Sequence, residues 1–168
     1  MLTVAGINRG HLRDFLARYA LLLEVHPQGS DIPGSYWGDS EAGLVGSTVH
    51  VREDTPLHSL LHESCHAICM SPERRENLHT DAGGDDLEEA AVCYLQVVLS
   101  DSIEGAGREQ LMRDMDAWGY SFRLGSTARW FQSDAEDARE WLQQRGLLDS
   151  NDEPIYPSAQ ALPENATG

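Results

Sequence analysis

Apolar residues recur at intervals of three and four along several stretches of the chain and alternate along one. Leu12, Phe15, Leu16, Tyr19, Leu22 and Leu23 share one helical face behind Asn8, a good cap, and predict a helix over residues 8–24. Pro27, Gly29, Ser30, Pro33 and Gly34 break that pattern and open a turn-rich segment reaching residue 43, in which Tyr36 and Trp37 suit a short strand or an aromatic lip over a cleft. Across 44–52, Val49 and Val51 alternate with His50 and Arg52, the pattern of a strand. Such a strand packs in the core or offers an open sheet edge to an extended peptide. Over 55–70, Leu57, Leu60, Leu61, Ala67 and Ile68 form an apolar stripe; Thr55 suits an N-cap, Pro56 the first helical position, and Ser71-Pro72 a stop.

Residues 71–84 are polar and predict a loop with one helical turn near 73–77. A strong helix follows over 87–99, with Leu87, Ala90, Ala91, Tyr94, Leu95, Val98 and Leu99 on a broad face and Asp85 or Asp86 as its cap. Leu111, Met112, Met115 and Trp118 predict a helix over 107–118. Ser133 and Glu136 suggest a capping box for another over 133–144, ended by Gly146. The expected architecture is α+β, mostly helical, with a small sheet beside the helix of residues 55–70. It forms one domain over 1–148 and an irregular tail over 149–168, where three of the seven prolines fall.

Charge narrows the partners. The 168 residues carry a net charge of −16, which repels phosphate backbones and anionic lipid and disfavours nucleic acid or membrane as the main partner. No apolar run approaches the ~18 residues of a membrane span, and the N-terminus lacks a basic start with an apolar run behind it. Cys65, Cys69 and Cys93 are odd in number, and the first two stand four apart on one predicted helix, a poor disulfide geometry; free thiols and a cytoplasmic location are the expectation.

The chemistry concentrates in His62-Glu63-Ser64-Cys65-His66, an H-E-x-x-H sequence in the middle of a predicted helix. Histidines four apart project from one helical face and can reach the same tetrahedral ion, with Glu63 beside an ion-bound water as general base. A catalytic zinc keeps three protein ligands and one open position, so a third ligand is needed. The start of the helix over 87–99 offers Asp85, Asp86, Glu88 and Glu89. Glu88 is preferred: Ala91 and Leu95 follow on its side, and with Asp86 as the N-cap Glu89 would fill the reciprocal capping position. With Asp85 as the cap, the roles of Glu88 and Glu89 reverse.

The sequence His62-Glu63-x-x-His66 followed by Glu88-Glu89-Ala90-Ala91 resembles the gluzincin zinc metallopeptidases, in which a glutamate on a downstream helix completes the site. The layout is most similar to that of minimal ImmA/IrrE-type metallopeptidases. This resemblance covers about residues 44–99 and implies a zincin-like fold with Zn2+ held by His62, His66 and Glu88. The chain departs from the pattern at Val92, where an acidic or amide residue commonly supports a ligand histidine. A site of His62, His66 and His79 would instead resemble SprT-like proteins. The resemblance implies hydrolysis of a peptide or protein substrate, with Glu63 moving the proton and Tyr36, His79, Tyr94 or Tyr120 steadying the oxyanion. The alternative is a zinc-binding regulatory or interaction protein with little turnover. His58 is expected to support the site or its helix, and His11, His26 and His50 to be ordinary surface residues.

Overall fold

Asn8 opens the first helix as its sequence position suggests: its Oδ1 accepts from the His11 N–H at 2.9 Å, and α1 runs Arg9–Ala17. The helix stops well short of residue 24. Ala20 takes a left-handed conformation (φ 59°), the Leu21 N–H donates to the Leu16 carbonyl and the Ala20 N–H to the Ala17 carbonyl. That is a Schellman closure with alanine where glycine is usual, stapled by buried Leu16 and Leu21. Leu22 and Leu23 therefore belong to strand β1 (Leu22–His26), where alternation turns Leu22 to solvent and Leu23 inward.

The computed structural model describes residues 1–35, 40–70 and 85–157. Its class is α+β, with helices around a three-stranded sheet. The stretch expected to be one strand is a hairpin: β2 (Gly43–Val45) and β3 (Thr48–Arg52) pair antiparallel through a two-residue turn whose first residue, Gly46, has φ 61°. The sheet order is β1-β3-β2, with β1 and β3 parallel. Strand β3 is thus the middle strand, paired with β1 over 48–52 and with β2 over 48–50. Its Val49 and Val51 are fully buried.

Helix α2 (Leu57–Cys69) begins one residue later than the sequence suggests. Thr55 does not cap it; its Oγ1 accepts from the Arg52 N–H at 2.9 Å. The first free helical N–H, on Leu57, is met by the Leu2 carbonyl, next to a short bridge between Thr3 and Pro56. The Ser59 hydroxyl accepts from the Ala42 N–H at 2.9 Å and ties the helix to the approach to β2. Leu57, Leu60, Leu61, Cys65 and Ala67 are fully buried, each large side chain contributing about 1.5–3 kcal/mol of burial.

Helix α3 (Asp86–Ser100) packs along α2, and Ala91, Val92, Leu95, Val97 and Leu99 join the same apolar cluster. Helices α4 (Arg108–Trp118), α5 (Thr127–Ser133) and α6 (Glu136–Gln144) complete the α-helices among the described residues. The expected capping box at Ser133 does not form, because Ser133 ends α5 and α6 starts after Ala135 without a side-chain cap. Gly146 closes α6 with φ 73° as expected, the Leu147 N–H donating to the Leu142 carbonyl. The described part of the tail has no helix or strand beyond a bridge between Leu148 and Pro154, yet it is docked. Asp152 accepts from Tyr94, and the Tyr156 ring lies 5.1 Å from that of Tyr19. No helix among the described residues is long and apolar enough to cross a membrane.

Candidate metal centre

One turn of α2 separates His62 from His66, and their rings lie 4.8 Å apart, nearly perpendicular. Glu89, in the first turn of α3, completes the group. Its Oε2 lies 3.1 Å from His62 Nε2 and its Oε1 lies 3.2 Å from His66 Nε2. The three donor atoms all fall within 4.8 Å of one another.

The third member is therefore Glu89, and the preference for Glu88 is corrected. Asp85 is the N-cap: its Oδ1 accepts from the Glu88 N–H at 2.7 Å, so Glu88 sits at the third helical position and Glu89 turns to α2. Glu88 is buried on another side of the helix, where its charge acts on Cys69. Burial and then Glu88 push the Cys69 thiol up to about 12. All three cysteines are free.

The support missing at Val92, which is buried in the core, comes from Gln96, two turns beyond Glu89 on the same face. Gln96 is fully buried. Its Nε2 donates to the His58 carbonyl at 2.7 Å and to the Tyr120 hydroxyl at 3.3 Å, leaving Oε1 to accept from His62 Nδ1 at 3.0 Å. His62 thus keeps a ring proton on Nδ1 and turns Nε2, the nitrogen an ion would take, to Glu89. A spacing of seven between Glu89 and the lone amide of an apolar helix is the sequence signal that points to it.

The charges of the group are interdependent. Hydrogen bonds from His62 and then His66 hold the Glu89 carboxyl well below the usual carboxylate range. Burial works against a charged His62, yet Tyr120, Cys93 and Glu89 together hold it well above the ordinary histidine value. Glu63 is raised by burial, an effect His62 and His66 oppose. Two imidazole nitrogens and one carboxylate, converging from two packed helices with one tautomer fixed, suit zinc in donor type and number. The residues present fit the ion that the motif implies.

The other expected participants separate clearly. Tyr120 is beside the centre, its ring 5.8 Å from that of His62. Tyr94 is not: it stacks on Phe131 and donates to Asp152. Tyr36 and His79 lie outside the described residues. His11 accepts from the Glu104 N–H, while His26 and His50 contact each other on the sheet.

His58 lies under the centre, its Nδ1 3.1 Å from the Tyr120 hydroxyl. Burial pushes it down to about 4, below the ordinary 6.5. The unfolded chain therefore takes up this proton near pH 6.5 while the folded chain refuses it until about pH 4. Stability linked to His58 is present above pH 6.5 and is lost as pH falls from there to about 4, for a total of about 3 kcal/mol. Urea unfolding of metal-free protein across this window is expected to show a steeper loss in wild type than in His58→Asn.

A scan against models of protein families, a search of curated proteins and a search of solved structures each found no match for the chain.

Proposed function

We propose that the protein is a zinc-dependent metallopeptidase with a zincin-like fold, its zinc held by His62, His66 and Glu89 and its general base supplied by Glu63. The observation that carries this reading is the convergence of Glu89 on the two Nε2 atoms of an H-E-x-x-H helix, with Gln96 setting the tautomer of His62. Zinc in such a site supplies Lewis acidity, lowering the pKa of a bound water and polarising a carbonyl. The remaining work falls to the chain itself.

Glu63 is one residue from His62 and within electrostatic reach of His62, His66 and Glu89. It takes the proton of the attacking water and delivers it to the departing amine. Tyr120 is placed to donate to the oxyanion. Its oxygen receives the Gln96 amide, and with the His58 proton on Nδ1 it receives that as well, leaving its own O–H free. That tautomer leaves an acceptor, His58 Nε2, as the buried atom without a hydrogen bond, the less costly choice than a buried N–H. His58 and Gln96 thereby position Tyr120.

The test is cleavage of casein and of a mixed peptide library by untagged protein. Activity is expected in zinc-loaded protein, lost after chelation and restored by added zinc. Tight stoichiometric zinc with no cleavage across that library would replace the peptidase by a zinc-binding regulatory or interaction protein.

A further inference from the structure

The sheet carries a second set of donors on the face opposite buried Val49 and Val51. Glu24 of β1 is the register partner of His50 of β3, and His26 lies two residues along β1, so the three side chains leave the same face. His26 Nε2 and His50 Nδ1 are 2.8 Å apart, and Glu24 Oε1 stands 3.9 Å from each of them. We propose that Glu24, His26 and His50 form a second metal site, selective for a late first-row divalent ion such as zinc and independent of the centre on α2 and α3.

Two facing ring nitrogens can share a single proton between them, one giving an N–H and the other accepting it. A cation replacing that proton engages both lone pairs. Bonds of about 2.0–2.1 Å at a tetrahedral angle place the two nitrogens about 3.3 Å apart, so the rings need to part by only about half an ångström from their 2.8 Å contact. The two rings are largely enclosed, with side-chain exposures of 22% and 12%, and are held on paired strands. Glu24 is 62% exposed and free to swing in, so the mobile ligand is the one that has to move.

Local charge does not oppose the ion. Arg52, the register partner of His26, is turned to Asp54, with Nε and Nη2 at 2.9 and 3.0 Å from its two oxygens, and to the Ser30 carbonyl. Two imidazoles and one carboxylate select against magnesium and calcium, which take oxygen ligands, and suit zinc, nickel or copper(II). Water fills the remaining positions. The bound ion would pin β1 to β3 across 24 residues of chain, and only the folded sheet would present it with both histidines.

The first centre is removed for the test, so that the outcome does not depend on the proposed peptidase site. Untagged His62→Ala/His66→Ala protein is dialysed against micromolar zinc and its metal counted by mass spectrometry. One equivalent is expected to remain, to raise the melting temperature over that in chelator, and to be lost on adding His26→Gln or His50→Gln. Glu24→Gln, at an exposed position, is expected to weaken the same equivalent. Circular dichroism in chelator checks that each variant is folded. The second site is overturned if the folded double-alanine protein holds no zinc, or if its equivalent survives both His26→Gln and His50→Gln. Wild type holding one equivalent that persists in His26→Gln would likewise remove the second site and leave the first standing.

Discussion

Replacing Glu63 with glutamine is expected to lower peptide hydrolysis by about 10²–10⁴-fold while the protein keeps its zinc. Glutamine matches the shape of glutamate and leaves α2 intact, but it cannot accept the proton of the attacking water. Glu63 makes no contact with the ligand nitrogens of the kind Glu89 makes, so the metal content should not follow the activity. Single-turnover cleavage of a fluorescent peptide and metal analysis of the same sample read the two quantities separately. Loss of zinc and activity together would place Glu63 among the ligands; full activity in the variant would remove it from the chemistry.

The second large effect is expected from Glu89→Gln, which should cost most of the zinc affinity, whereas Glu88→Gln should leave it nearly unchanged. In the first variant the two Nε2 atoms lose the anion that faces them at 3.1 and 3.2 Å. A neutral amide neither offsets the charge of a divalent ion nor is a common zinc ligand. In the second, the side chain altered is buried away from that cluster, and the cost falls on local packing. Competition with a chromophoric chelator measures both. Retained affinity in Glu89→Gln together with loss in Glu88→Gln would return the role to Glu88.

The sequence made the α2 site readable because its two histidines and Glu63 are set by helical periodicity within one element. The third member of the group is harder to read, since it depends on one cap. Asp85 and Asp86 are chemically equivalent candidates, and the choice rotates the first turn of α3 by about 100°. Only the bond from the Glu88 N–H to Asp85 decides it. The first helix was overextended for a similar reason: six apolar residues keep a helical spacing across 12–23, but Ala20 adopts a left-handed turn without the glycine that would have announced it. The stretch over 44–52 reads as one strand but holds the end of β2, a turn and β3, and its pattern leaves core and edge positions equally open. Gly46 was there to be read as a turn, whereas the parallel pairing of β1 with β3 is a long-range fact that no local pattern carries.

The buried amide of Gln96 has a consequence for how the centre tolerates acid and substitution. A peptide carbonyl has no proton to gain or lose near neutrality, so the orientation that the His58 carbonyl imposes on this amide is indifferent to pH. The amide hands that constancy to the imidazole at position 62. Glutamate in its place would keep the outline but lose both donors, releasing the carbonyl of residue 58 and the hydroxyl of residue 120 at once. An ordinary main-chain oxygen is thus the reference against which the ring proton of His62 is placed.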